Sequence, residues 1–309
     1  MDQYDIVIAG GGIAGLSAAL TAARLGRKTM VLTGDVLGGQ LLSIEKVDGY
    51  PGFPEGVPGY DLCPIAQEQA MNAGAEFSST QITGIAANGD NWRVSTTEGD
   101  MAARAVIIAT GADLKHLGVP GEERLTGKGV SHCATCDGPL NKNKVVAVVG
   151  GGDSAMQEAL TLAEFASKTI ILHHGDELTG QATYKERITS HPKIEVRPDT
   201  AVEEVLGENN VTGLRIRLTN AGSASDLEAS SVFVYIGLKP ATAFLGGTLK
   251  LDSAGAIPTD TLMRTELKGV CAAGTVRTGT PARAAASAGE GAAAAIAADQ
   301  YLANGAWRS

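Results

Sequence analysis

The sequence predicts an α/β fold built from two Rossmann-like dinucleotide-binding domains, and three observations carry that expectation. An apolar stretch at residues 5–9 (DIVIA) runs straight into Gly10-Gly11-Gly12-Ile13-Ala14-Gly15 and an Ala/Leu-rich segment reaching about Leu25. The same order returns at residues 144–149 (KVVAVV), followed by Gly150-Gly151-Gly152-Asp153-Ser154-Ala155 and a helical pattern to about Ala166. Glycine is abundant, at 40 of 309 residues, while aromatics make up only 4%. That balance suits tight phosphate-binding turns and close helix–strand packing better than an all-β sandwich.

Each element follows from local pattern. A G-x-G-x-x-G turn is weak alone but informative when it closes a strand and opens a helix, as at Gly10. Residues 28–33 (KTMVLT) supply the second strand of that βαβ unit, and residues 105–109 (AVIIA) a further strand closed by Thr110-Gly111-Ala112. After the second turn, residues 169–173 (TIILH) read as a strand. Alternating stretches at 92–97 and 214–219 read as meanders or hairpins. Residues 231–236 (SVFVYI) lead through Gly237 to Pro240 as a return linker, and the Ala-rich stretch 281–302 reads as a helix. The length allows two domains, each with its own core.

The bulk charge restricts partners. A formal net charge of -9, with no run of Lys or Arg, disfavours nucleic acid and anionic membranes. No charge-free apolar stretch reaches the roughly 18 residues of a membrane span. The N-terminus enters a strand without a charged and then apolar leader, so a cytoplasmic protein is expected. Structural disulfides are rare in that compartment. Cys63 and Cys271 therefore read as small buried hydrophobes, whereas Cys133 and Cys136, spaced as CxxC, call for a chemical explanation.

The motifs give that chemistry. The first glycine turn lets the backbone approach a pyrophosphate, held by the free N–H groups of the following helix. Thr33-Gly34 stands where an acidic ribose ligand usually ends the second strand. At the second turn, the following strand leads into His173-His174-Gly175-Asp176-Glu177 with no arginine before Arg187, a poor setting for a 2′-phosphate. Asp176 or Glu177 is placed to accept a ribose hydroxyl instead. In CATCDG (133–138), two thiols separated by two residues close a small-ring disulfide and stabilise a thiolate, as exchange chemistry requires. A zinc reading lacks further ligands, since no second CxxC or HxxxH pair exists and His132 does not complete the set. No metal is expected. Asp137 reads either as proton donor and acceptor for the departing thiolate or as a helix N-cap.

Taken in order, the motifs resemble the low-molecular-weight thioredoxin reductases along essentially the whole chain. They are GGGIAG, GGQL at Gly38 to Leu41, YPGFP at Tyr50 to Pro54, IIATGA at Ile107 to Ala112, CATCDG, VVGGGDSAMQEA at Val148 to Ala159, and CAAGT with SAGEGAAAA. The resemblance implies an FAD domain from both ends of the chain, about 1–112 and 241–309. A pyridine-nucleotide-type domain, about 113–240, would be inserted and carry the cysteines. It implies a homodimer acting on a thioredoxin-like protein disulfide. Cys136 would lie nearer the flavin, Cys133 would attack the acceptor and Asp137 would serve as acid/base. FAD would be held by Gly10, Gly12, Ile13, Ala14, Gly15, Thr33, Gly38, Gly39, Gln40, Leu41, Thr110, Gly111, Gly274, Thr275, Arg283 and Ala284.

Two positions depart from the family pattern. NADPH-using members carry an HRR-x-x-x-R pattern after the second strand; here the matching residues are His173, His174, Gly175 and Thr179, so all three arginines are gone. NADPH is therefore not expected to serve in the usual way, and a ferredoxin or a second reduced flavin becomes the expected donor. The family's AAGD is Ala272-Ala273-Gly274-Thr275 here, so an uncharged hydroxyl replaces a carboxylate at the flavin. A degraded nucleotide pocket also resembles that of dithiol oxidases that use oxygen, but intact CATCDG looks more like the reductases.

Overall fold

In the computed structural model, which describes residues 2–307, the chain divides into two compact units, 1–113 with 239–309, and 114–238. The first unit begins with β1 (Gln3–Ala9), α1 (Ile13–Arg24) and β2 (Thr29–Leu32), the βαβ start expected from the glycine turn. After α2 (Gly59–Asn72) come β3 (Glu76–Ser78), β4 (Ile82–Asn88), β5 (Asn91–Thr96), β6 (Gly99–Ile108) and the short β7 (Ala112–Leu114).

The inserted unit holds α3 (Glu122–Leu125), β8 (Val130–Ser131), α4 (Ala134–Asp137), β9 (Val145–Val149), α5 (Asp153–Phe165), β10 (Lys168–Leu172), α6 (Ala182–Ser190) and β11 (Ile194–Arg197). It continues through β12 (Thr200–Leu206), β13 (Gly213–Leu218), β14 (Ala224–Glu228) and β15 (Ser231–Val234). The chain returns by β16 (Leu238–Pro240), which pairs with β7, and ends with β17 (Val270–Ala272) and α7 (Ala284–Asn304).

Each unit has a parallel sheet with helices packed on it. In the first, the order is β3-β2-β1-β6-β5-β4, with β17 also on β6. The β1, β2, β3, β6 and β17 ladders are parallel, whereas β4-β5-β6 is an antiparallel meander containing the alternating stretch at 92–97. In the second, β11-β10-β9-β15-β8 is parallel and β12-β13-β14 forms a separate antiparallel sheet. The central runs of the parallel strands are apolar and buried: Ile6, Val7, Ile8 and Ala9 of β1, and Val146, Ala147 and Val148 of β9.

Small residues let α1 and α7 come together in the first unit. A Cβ at Gly291 would stand 2.0 Å from the Ala14 carbonyl oxygen, so any side chain there forces the helices apart. The C-terminal helix starts at Ala284 rather than at Pro281, because Arg283 is extended (φ -131, ψ 133) and occupies the N-cap. α2 has little apolar character, with only Gly59, Leu62, Cys63 and Ala70 buried and Pro64 inside it, which is why its periodicity is faint.

Candidate functional site

Cys133 and Cys136 are joined as a disulfide, their Cα atoms 5.3 Å apart, on the helical turn α4. Cys133 is extended at the N-cap, and its Sγ accepts a hydrogen bond from the Cys136 amide at 3.1 Å. That amide is a fixed donor at the Cys133 end of the bridge. The Cys133 amide in turn donates to Ser131 Oγ at 3.1 Å, fixing the entry to the turn. Cys136 is exposed and Cys133 half-buried. The other two cysteines are buried free thiols. Burial pushes Cys63 up to about 11 and Cys271 well above the usual thiol range, so neither is a ready thiolate.

Asp137 ends α4, half-exposed. It occupies the N-cap position of the 3-10 turn Gly138–Asn141 but makes no side-chain cap bond, so the carboxylate is left available. It borders a cleft of about 470 Å³ whose wall also holds Lys128, Lys144, Asn141 and Ser231.

The residue that sequence reading missed is Glu158. It is buried on α5, and its Oε2 accepts from the Ala134 amide at 3.3 Å and the Tyr235 hydroxyl at 3.4 Å. It thus holds the dithiol turn from beneath. The signal was present: Ala155, Met156, Ala159 and Leu162 form the apolar face of α5, and a carboxylate lies on that same face. Burial pushes its carboxyl up to about 7, against the lowering effect of the two donors.

That shift gives a pH prediction. The folded chain holds the Glu158 proton more tightly than the unfolded chain, so this contribution to stability is complete below about pH 4.5 and lost as pH rises to about 7. Its size is on the order of 3 kcal/mol, about 1.4 kcal/mol per unit. Glu158→Gln keeps an acceptor and removes the titration, so wild type should lose stability relative to the variant across that window. Denaturant melts at several pH values check this, and parallel profiles for the two proteins rule it out.

In the first unit the expected flavin-contact residues come together around the first glycine turn. A Cβ at Gly10 (φ 117) would lie 2.2 Å from the Ala109 carbonyl oxygen, and one at Gly15 would lie 1.9 Å from that of Gly10. These two glycines are required by the chain's own packing. Gly12 differs: it has an ordinary φ of -75, and a Cβ there would meet nothing within 4 Å. The open space lies at the start of α1, whose first turn carries no acidic residue.

The flanking segments close on this turn. The Gly38 amide donates to the Gly11 carbonyl at 2.8 Å, and the 3-10 turn Gly39–Ser43 begins there. Gln40 Nε2 donates to the Ala112 carbonyl. Thr33 lies against Gly11, with its hydroxyl bonded to Gly34 and Ser78 carbonyls. Thr110 donates to the Ala241 carbonyl at 2.8 Å, and Thr275 Oγ1 lies 3.7 Å from where a Cβ of Gly111 would be. Gly274 sits against Ala14, its amide on Glu290 Oε2 at 2.8 Å. Leu41 and Ala284 pack with Ile13, and Arg283 caps α7 beside them.

The second glycine turn is differently filled. A Cβ at Gly151 would stand 2.3 Å from His173 Nδ1, so the imidazole lies over the turn. His173 is buried, with Nδ1 lacking a partner, whereas His174, Asp176 and Glu177 are exposed. The Thr179 amide donates to the Gly151 carbonyl at 2.8 Å. Arg197, whose carbonyl accepts from the His173 amide, pairs its guanidinium with Glu195 at 2.6 Å.

The chain is similar to known proteins along nearly its whole length. Residues 4–291 match the family described as pyridine nucleotide-disulphide oxidoreductase. The thioredoxin reductase of Treponema pallidum is 38% identical over 300 residues, 97% of this chain and 97% of that protein. Among solved structures, Lactococcus lactis thioredoxin reductase in its FR conformation superposes with a TM-score of 0.95 at 34% identity, covering 97% of this chain and 99% of that one. A ferredoxin-flavin thioredoxin reductase from Clostridium acetobutylicum gives a TM-score of 0.54 at 30% identity, covering 98% and 99%.

Proposed function

The chain belongs to the low-molecular-weight thioredoxin reductases within the pyridine nucleotide-disulphide oxidoreductase family, and from that premise we propose that it passes two electrons from FAD through Cys133 and Cys136 to thioredoxin or a similar protein disulfide. It is a flavin-dependent disulfide oxidoreductase. The observation that carries the finer reading is the Cys133–Cys136 disulfide on a turn whose amide faces Cys133 Sγ.

In the dithiol state, the Cys133 thiolate attacks one sulfur of the acceptor disulfide. A mixed disulfide forms and one acceptor thiolate leaves, taking a proton. Cys136 then attacks Cys133 Sγ, which releases the second acceptor thiol and restores the Cys133–Cys136 bond. Asp137, next in the chain with a free carboxylate, holds or gives the proton at Cys136. When bound, FAD supplies the two-electron reduction that reopens the disulfide. The residues around Gly12 fit its pyrophosphate: open space, the free amides of the α1 N-terminus and no competing acid. Gly39, Gln40, Thr110, Gly111 and Thr275 would line the remainder. The working form is a cytoplasmic homodimer that binds neither nucleic acid nor membrane; among the described residues, no helix is long and apolar enough to cross a bilayer.

Gly12→Val tests the flavin assignment cleanly. Its side chain enters space that the protein leaves open, so the variant's apoprotein should melt as the wild-type apoprotein does, yet bind FAD about a hundredfold more weakly, a loss of about 3 kcal/mol. Gly15→Val should instead fail to fold normally. Flavin absorbance of the purified proteins decides, and a yellow Gly12→Val protein with full FAD content contradicts the assignment.

The donor is not NADPH in the usual manner. The His173-His174-Gly175 stretch and the pairing of Arg197 with Glu195 support this, and a ferredoxin or second flavin replaces it. The second reading, ordinary NADPH-dependent turnover, is favoured by the likeness to the Treponema and Lactococcus thioredoxin reductases. A dithiol oxidase would instead consume oxygen with small dithiols, and measuring oxygen uptake separates that direction.

A further inference from the structure

We propose that His116, Glu122 and His132 form a binding site for a divalent transition-metal ion of the zinc class, at the entry to the dithiol turn. Spacing along the chain gives His132 no partners, but the fold supplies them. One ligand atom from each of the three side chains lies within 4.8 Å of the others. Ligand bonds of about 2.1 Å in a tetrahedral set bring such atoms to about 3.4 Å, so the cluster must tighten by at most about 1.4 Å. His116, with 68% of its side chain exposed, can supply that movement by rotation.

Two of the three groups are already held as ligands require. His132 Nδ1 lies 3.0 Å from the Val234 carbonyl oxygen. Donation there places the proton on Nδ1 and leaves the Nε2 lone pair for a metal. Glu122 is buried, and the amides of Leu117 and Gly118 hold its two oxygens at 2.8 and 2.7 Å, with a lone pair remaining on each. His116 Nδ1 stands 3.7 Å from Glu122 Oε1, and the two imidazoles meet edge to face at 5.3 Å. The plainer reading makes Glu122 a loop anchor beside two stacked rings. Against it, no Lys or Arg among the described residues pairs with this buried carboxylate, and two of the chain's five histidines converge on it. Two imidazoles and one carboxylate leave a coordination position for water. Because His132 immediately precedes Cys133, an ion held here fixes the approach to the disulfide.

The test uses the flavin-loaded, oxidised protein, in which Cys133 and Cys136 are bonded and offer no thiolate to metal. Calorimetric titration with ZnCl2 should show one saturable site per chain, and CoCl2 should give the intense visible absorption of a tetrahedral complex. His116→Ala, an exposed substitution that leaves the core intact, should weaken zinc binding by about tenfold or more and remove the cobalt bands. His191→Ala, outside the cluster, should change neither. Absence of saturable zinc binding, or equal affinity in His116→Ala and wild type, overturns the proposal. Neither result touches the assignment of the dithiol, which is read by turnover rather than metal binding.

Discussion

Replacing Cys133 with Ser should leave a folded, flavin-containing protein whose disulfide reductase activity falls by about a thousandfold or more. The loss is large because two-electron exchange needs one sulfur to attack and a second to resolve the mixed disulfide; Cys136 alone cannot do both, and Cys63 and Cys271 are buried with their thiols held protonated by burial. Stability should fall only moderately. The bridged residues are separated by 3 positions, so the bond closes a very small loop and constrains the unfolded chain by only about 2 kcal/mol. The order of attack can be read from trapping. Cys136→Ser retains the sulfur that accepts the amide hydrogen bond and lacks the one that resolves the mixed disulfide, so it should accumulate a covalent adduct with thioredoxin. Cys133→Ser should accumulate much less. The reverse result, which the greater exposure of Cys136 makes a real contest, would exchange the two roles. Thiol counting of the denatured wild type gives the baseline: two free thiols before reduction and four after, from one disulfide and two free cysteines. A Cys133→Ser enzyme with full activity on disulfides removes the dithiol from the reaction altogether.

What was legible in the chain, and what was not, follows from the range of each interaction. The glycine turns announce themselves locally: Gly10 and Gly150 take φ of 117 and 139, and a strand and helix of plain periodicity flank each. The two cysteines carry their chemistry in their spacing. Glu158 was hidden because its meaning lies across space, in the Ala134 amide and the Tyr235 hydroxyl, 24 and 77 positions away. The same holds for His116 and His132, brought together by a loop anchored on Glu122 rather than by any recurring spacing. The Ala-rich composition extends the helical pattern beyond the true start of α7, because Arg283 holds the backbone extended there. Even the glycines divide only in three dimensions. Gly15 is there for the helix turn itself, while Gly12 faces open space, and the sequence motif treats them alike.

The last expected result concerns the source of electrons. NADPH should reduce the flavin slowly or not at all at submillimolar concentration, and with no advantage over NADH. Each arginine–phosphate contact is a charge-assisted hydrogen bond contributing about 1.5–3 kcal/mol. Loss of two or three of them costs about 3 to 9 kcal/mol, or between about two and six orders of magnitude in affinity at about 1.4 kcal/mol per tenfold. The matching positions His174, Gly175 and Thr179 carry no guanidinium. His173 is buried over Gly151, and its neighbour in the next strand, Arg197, is engaged by Glu195, which Lys168 also approaches. Exposed Asp176 and Glu177 follow where a 2′-phosphate would need cations, so they oppose NADPH while leaving NADH's ribose hydroxyl an acceptor. The dithiol turn keeps Cys133, Cys136 and Asp137, so the prediction separates the source of the electrons from their exit. A ferredoxin donor faces its own difficulty, since a net charge of -9 repels an acidic partner unless a local basic surface receives it, and its reduction rate should therefore rise with ionic strength. Anaerobic stopped-flow mixing with NADPH, NADH and reduced ferredoxin, followed by flavin absorbance, separates the possibilities. Rapid bleaching at micromolar NADPH with NADH far slower would restore ordinary NADPH-dependent turnover, and the loss of the three arginines would then have to be made good by groups elsewhere in the inserted unit.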